Sequence, residues 1–218
     1  MNYAVILAGG TGSRAGGTLP KQFQSVRGKR LIWWSVEAFK AFDPCCRIVL
    51  AVHNDFLKVW EYELGQEERS LGVEILKVPG GSSRFYSVKN ALSVIEDPEA
   101  TVFIHDGARP LVSPELIRRG ASAVGAGKGA IPVIPIVDSI RELTSDGSVA
   151  VDRSRYVAVQ TPQVFICKDI KKAYDAASSD IGVTDDASVA ERFGIEILTF
   201  PGDSVNIKVT NPEDFSRL

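Results

Sequence analysis

The sequence has almost no net charge: 25 Lys and Arg against 27 Asp and Glu leave −2 over 218 residues. Without a broad positive field to hold nucleic acid, any cations that matter must act locally. Cysteine is scarce as well. Cys45, Cys46 and Cys167 form an odd, unpatterned set, which points to neither a disulfide framework nor a zinc site. Free thiols suit the cytoplasm. So does the opening Met-Asn-Tyr-Ala-Val, which enters a strand with no basic region or cleavage site. No apolar run approaches the ~20 residues needed to span a bilayer. The expectation is a cytoplasmic protein without a membrane or nucleic-acid partner. With 44% apolar residues, the chain can bury one good core, so residues 1–218 are expected to form one domain.

What the sequence does have is concentrated in residues 3–21. An apolar run from Tyr3 to Leu7 reads as a buried strand and breaks at once into glycine. Gly9, Gly10 and Gly12 lack the Cβ atoms that would keep backbone away from a ligand, and successive N–H groups there can converge on an anion. Arg14 and Lys21 add a planar fork and a mobile point charge. The spacing is not that of a P-loop, and the dinucleotide fingerprint is weak. Glycines alone would fit a surface turn; with the two cations the stretch reads as a polyphosphate cradle.

Further along, strands and helices alternate. Leu31–Phe42 has helical spacing, with Leu31, Trp34, Val36 and Phe39 facing inward. Arg47–Val52 and Val73–Val78 read as strands, with a polar helix around Asp55–Glu63 between them. This predicts a mostly parallel sheet with helices on both faces, its ligands outside the carboxyl ends of the strands. Two strand ends then stand out. Pro79-Gly80-Gly81-Ser82-Ser83-Arg84 opens a helix, with Ser82 or Ser83 as its cap and Ser87 one turn after Ser83. Thr101–His105 ends in Asp106-Gly107-Ala108-Arg109, where Asp106 offers Mg²⁺ a hard oxygen ligand and Arg109 a fork for phosphate. His105 is expected to be satisfied in the core rather than to act as a base. Ser113-Pro114-Glu115 starts a helix. Ala130–Val137 contains Pro132 and Pro135, which predicts an edge strand or a bulge. Thr144–Ser148 is a hairpin signal between Ser139–Leu143 and Val149–Asp152. Thr184 reads as a helix cap, Glu196–Phe200 and Asn206–Thr210 as strands, and Lys208 as a buried lysine needing an anion. Asn211-Pro212 starts a last helix.

Taken together, Ala-Gly-Gly-x-Gly-x-Arg with Pro-Lys-Gln resembles the sugar-phosphate nucleotidyltransferases. The closest resemblance is to the cytidylyltransferases acting on 2-C-methyl-D-erythritol 4-phosphate. His-Asp-Gly-Ala-Arg-Pro, Gln-Thr-Pro-Gln-x-Phe, Thr-Asp-Asp-Ala-Ser and Asn-Ile-Lys-Val-Thr-x-Pro-Glu-Asp extend the match from residue 7 to residue 215. The resemblance implies a Rossmann-like three-layer α/β sandwich with a mostly parallel mixed sheet. A projecting β-hairpin arm at about 138–157 would join a homodimer. It implies transfer of CMP from CTP to 2-C-methyl-D-erythritol 4-phosphate, with release of pyrophosphate, in non-mevalonate isoprenoid precursor synthesis. By position, Leu7, Ala8, Gly9, Gly10, Gly12, Gly81, Ser87, Asp106 and Gly107 would bind CTP, with Mg²⁺ on Asp106. Arg14, Lys21, Arg153 and Lys208 would be catalytic. Arg109, Ser139, Thr161, Thr184 and Lys208 would hold the acceptor, helped by Arg153 reaching across the dimer. Ribitol 5-phosphate is the alternative acceptor, because Leu-Ala-Gly-Gly-x-Gly-Ser-Arg also resembles the pentitol-phosphate enzymes. A catalytically silent nucleotide-binding module on the same fold is the second alternative.

Overall fold

The computed structural model describes residues 1–9, 20–59, 64–177 and 182–218, except for the side chains of Lys21, Lys58 and Val59. β1 (Asn2–Ala8) lies at the centre of an eight-stranded mixed sheet. β4 (Arg47–Val52) and β6 (Thr101–Asp106) flank it in parallel, and β5 (Ile75–Pro79) continues parallel beyond β4. On the other side, β11 (Gln163–Ile166) runs antiparallel to β6 and leads to β7 (Lys128–Pro135). β10 (Val157–Val159) pairs antiparallel with β7, and β12 (Glu196–Pro201) pairs parallel with it.

Alternation along the strands sorts side chains into two cores. Ala4, Ile6, Ile48, Leu50 and Phe103 face α1 (Leu31–Phe42) and α5 (Pro114–Ala123) through Ile32, Val36, Phe39, Leu116 and Ile117. Tyr3, Val5, Val49, Val102 and Ile104 face α4 (Arg84–Ser93), α6 (Cys167–Ala176) and α7 (Asp186–Arg192). The result is three layers, helices on both faces of a mixed and mostly parallel sheet, as expected. In α1 Leu31, Val36 and Phe39 are buried as expected, and so are Ile32 and Trp33, whereas Trp34 is half-buried under the Lys29 ammonium, 4.8 Å from its ring centroid.

Several expected boundaries shift, for physical reasons. The third main strand begins at Ile75, two residues later than its apolar run. The polar helix is seen as α2 (Asn54–Val59), followed after residues 60–63 by α3 (Gly65–Ser70). β7 is not at an edge: β12 takes one side, and β10 and β11 take the other in turn. Its prolines fit because neither removes a ladder bond. Pro132 faces the step at Gln160–Pro162 between β10 and β11, where only its carbonyl is used, accepting from Gln160 N at 2.8 Å. Pro135 lies past the end of the β12 ladder, which stops at Val133. The hairpin is present as β8 (Arg141–Thr144) and β9 (Gly147–Ala150), and β2 (Ser25–Val26) pairs antiparallel with β3 (Lys29–Arg30) in a short ladder before α1.

Asn206–Thr210 is not a strand. It runs extended over the loop after β6 and is held there by Val209 N on the Ala108 carbonyl at 2.8 Å. The last helix is a 3₁₀ turn, Pro212–Arg217, after which Leu218 packs on Leu31 and Val209. The cap of α7 is Asp185 rather than Thr184, because its carboxylate accepts from Ser188 N at 2.9 Å. Ser83 occupies the N-cap of α4 without using its hydroxyl. At α5, Ser113 caps as expected, accepting from Leu116 N at 3.1 Å.

Candidate active site

Register brings the carboxyl ends of four strands level: Leu7 lies opposite Asp106, Ala8 opposite Val52, and Val52 opposite Pro79. The turns that follow therefore meet above one edge of the sheet. Gly80 N donates to the Val52 carbonyl at 2.7 Å, and Gly107 N donates to the Leu7 carbonyl at 3.0 Å. A Cβ on Gly81 would collide with the Tyr86 Cβ, and one on Gly107 would lie 2.9 Å from the Leu7 carbonyl oxygen. These contacts let only bare backbone approach so closely. Ser87 is buried and braces the second turn, accepting from Gly81 N at 3.0 Å and donating to the Ser83 carbonyl at 2.9 Å. Leu7 is half-buried and Ala8 buried at the same edge.

Asp106 ends β6 and gathers the charges. Lys208 Nζ lies 2.7 Å from its Oδ2, Arg84 Nε 3.5 Å from its Oδ1, and Arg109 Nε 3.9 Å from its Oδ2. Burial alone would raise its pKa, but Arg84 first, then Lys208 and Arg109, hold the carboxyl far below the usual range. It is therefore an anion at every working pH. Lys208 itself is not buried as expected: its side chain is 44% exposed, and its anionic partner is Asp106. The Lys208 segment is pinned from below. Asn206 is buried, donating from Nδ2 to the Thr161 carbonyl at 2.9 Å, and its own carbonyl accepts from Arg109 Nη1 at 2.8 Å. Burial lowers the Arg109 pKa from its ordinary value, and Asp106 opposes the shift.

A relay fixes Asp106 from behind. Its backbone N–H donates to Thr161 Oγ1 at 3.0 Å, and Thr161 Oγ1 sits 3.1 Å from His105 Nδ1. His105 Nε2 lies 3.1 Å from the Arg109 carbonyl. A carbonyl only accepts, so Nε2 carries the proton and Nδ1 accepts from the Thr161 hydroxyl. Burial lowers the pKa of this ring to about 4. His105 is a neutral core histidine, as its place in the sequence implies.

Of the residues expected at the site, Gly9, Gly81, Ser87, Asp106, Gly107, Arg109, Thr161 and Lys208 belong to this cluster. Gly10, Gly12 and Arg14 lie outside the described residues. Lys21 is described by its backbone only, which opens a 3₁₀ turn, Lys21–Phe23. That turn is tied to the end of β1 by Gln22 Nε2, which donates to the Ala8 carbonyl at 2.7 Å. Thr184 is exposed beside a hollow of about 90 Å³ that Ser83, Arg84, Phe85 and Val183 also line. Ser139 and Arg153 are exposed on the arm, where Arg153 Nη1 donates to the Val137 carbonyl. A larger hollow of about 540 Å³, lined in part by Ile95, Pro98 and Cys167, lies at the opposite end of β6. Charge, rather than hollow size, marks the site.

A family model described as IspD, 2-C-methyl-D-erythritol 4-phosphate cytidylyltransferase, matches residues 2–218. The chain belongs to the 2-C-methyl-D-erythritol 4-phosphate cytidylyltransferase family. Among relatives, the enzyme of that name from Bacteroides thetaiotaomicron is 41% identical over 210 residues, covering 96% of this chain and 94% of that protein. The crystal structure of the Francisella tularensis cytidylyltransferase superposes with a TM-score of 0.80 at 28% identity and covers all of both chains. The bifunctional IspDF of Campylobacter jejuni matches with a TM-score of 0.81 at 25% identity, and this cytidylyltransferase-family chain spans 54% of its length.

Gln22, Asn206, Tyr174 and Asp186 carry no local signal as strong as the residues expected at the site, yet they hold the cluster in shape. Asp186 takes both Arg84 amino groups, at 2.8 and 2.6 Å, and the Tyr174 hydroxyl at 2.7 Å. One signal was available. Two consecutive aspartates stand at the start of α7, Asp185 before it and Asp186 as its first residue, and a helix start uses only one of them as its cap.

Proposed function

We propose that this chain transfers CMP from CTP to 2-C-methyl-D-erythritol 4-phosphate. The products are 4-diphosphocytidyl-2-C-methyl-D-erythritol and pyrophosphate, in non-mevalonate isoprenoid precursor synthesis. A phosphate oxygen of the acceptor forms a bond to the α-phosphorus of CTP, and the bond to the bridging oxygen of the pyrophosphate breaks. The nucleophile is already an anion, so the reaction needs little proton transfer; it needs two repelling polyanions aligned and their charge neutralised. The convergence of Lys208, Arg84 and Arg109 on Asp106, beside two glycine turns, is the observation that carries this reading.

In this reading Leu7–Gly10, Gly12, Gly81, Ser87 and Gly107 present backbone and hydroxyl groups to CTP. Arg14 and Lys21 stabilise the transition state and the leaving pyrophosphate. Lys208 and Arg109, with Thr161, Thr184 and Ser139, hold the acceptor. Asp106, a strongly ionised hard-oxygen donor, would hold Mg²⁺ together with CTP. One or two carboxylates with substrate phosphates is a usual way for Mg²⁺ to be held. When bound, the ion supplies Lewis-acid neutralisation of phosphate charge.

The arm exposes Val137 (79%), Leu143 (84%), Val149 and Val157, apolar side chains on both faces of the hairpin that a second copy would cover in part, bringing its Arg153 to the acceptor phosphate. Exposed Cys45 and two buried thiols, all free, suit the cytoplasm. No helix among the described residues is long and apolar enough to cross a membrane. Pyrophosphate release, measured with CTP and each acceptor separately, tests the reading. Turnover with 2-C-methyl-D-erythritol 4-phosphate is expected. Preference for ribitol 5-phosphate would reassign the acceptor, and no release with either would favour a silent binding module.

A further inference from the structure

Asp186 is the first residue of α7 and is fully buried. Its carboxylate accepts from both Arg84 amino groups and from the Tyr174 hydroxyl. Tyr174 in turn stacks on Phe85, the neighbour of Arg84 on α4, with ring centroids 4.8 Å apart. Three contacts therefore lock α4, α6 and α7 together just behind Asp106. Stability alone does not call for this arrangement. Desolvating a carboxylate and a guanidinium is costly, and apolar residues of similar volume would hold three helices as well. What a bidentate fork adds is direction: with both amino groups turned to Asp186, the Nε edge of Arg84 is the one presented to Asp106, at 3.5 Å. Freed from the fork, a half-exposed arginine would swing and close on Asp106 as a tighter pair.

We propose that Asp186, backed by Tyr174, is a positioning residue for CMP transfer, clamping Arg84 so that it supports Asp106 without capping it. The clamp also ties the nucleotide-side turn at Gly80–Arg84 to the acceptor-side segment at Thr184. The inference rests on the cytidylyltransferase reading, which assigns Asp106 to CTP.

A double-mutant cycle on Asp186→Asn and Arg84→Lys tests it, reading kcat/KM for CTP by pyrophosphate release and folding by circular dichroism. Each single variant should lose at least about tenfold in kcat/KM, the scale of one charged hydrogen bond. The double variant should be no worse than Arg84→Lys alone, because Asp186 acts through Arg84. Losses that multiply, or unchanged kcat/KM per folded protein in Asp186→Asn, would overturn the clamp. Should Asp186→Asn not fold, Tyr174→Phe keeps the ring stack and removes only the hydroxyl. It should lower kcat/KM about threefold, and not at all in the Arg84→Lys background; equal effects in both backgrounds would overturn the proposal. The wild-type protein is measured in the same assay. Absence of release there would remove the functional reading and the clamp with it, whereas multiplicative effects in an active enzyme would remove the clamp alone.

Discussion

Replacing Ser87 by alanine separates the cost of holding the second glycine turn from the cost of binding a nucleotide on it. Ser87 Oγ accepts from Gly81 N and donates to the Ser83 carbonyl. The two losses are unequal, because the Ser83 carbonyl keeps a second donor, Ser87 N at 3.0 Å. Only the Gly81 N–H is orphaned. Gly81 is half-exposed and water partly replaces the hydroxyl, so the cost sits near the low end for an unmade bond, about 1 kcal/mol. For a chain of this length that lowers Tm by about 2–4 °C. If CTP binding requires the turn in its present shape, the same ordering cost reappears on binding and raises KM for CTP about fivefold. Scanning calorimetry with steady-state pyrophosphate release measures both. A Tm shift with unchanged KM would show that the turn supports the fold but not the nucleotide; neither change would refute the bracing role itself.

Other perturbations follow from the same geometry. Stability should fall between pH 6.5 and about 4, because there the unfolded chain takes up a proton that buried His105 does not. The loss amounts to roughly 3 kcal/mol over that window and is fully restored above pH 6.5. His105→Gln should flatten the slope in urea titrations, and an unchanged slope would refute the assignment. The depressed Asp106 pKa acts lower: its contribution is whole above the ordinary 3.8 and drains away below it. Thr161→Val keeps the shape of the side chain but strands the buried Asp106 N–H. A loss of about 1–3 kcal/mol with reduced turnover is expected; a wild-type melt would contradict the relay. Arg153→Ala should impair use of the sugar phosphate while leaving CTP binding intact, as calorimetry with each ligand separately would show. Equal loss of both would argue against a role at the acceptor.

What could be read from the sequence was whatever is carried by local chemistry. Glycines at Gly9, Gly80 and Gly107 announce turns whatever surrounds them. Asp106 and Lys208 stand out because a charge at the end of an apolar run needs an explanation. What escaped depends on distant segments meeting. Arg84 and Asp186 are 102 residues apart and Gln160 and Asn206 are 46 apart, so neither pair leaves a trace in any short window. β7 departs from the edge position its prolines suggest for a related reason. Two prolines forbid a ladder only where their missing N–H groups face a partner, and the step at Gln160–Pro162 decides that. Ile207 and Val209 flank Lys208 and make it look buried, but where those two neighbours turn inward the residue between them points out, toward Asp106.

Turnover by Asp106→Asn, measured as pyrophosphate release from CTP and 2-C-methyl-D-erythritol 4-phosphate beside the wild-type protein, bears most directly on the role of the cation cluster. The substitution keeps the shape at the end of β6 and removes the charge that Lys208, Arg84 and Arg109 share. A fall of about a hundredfold or more is expected, with the fold retained by circular dichroism. Turnover near the wild-type rate would mean that the chemistry happens elsewhere.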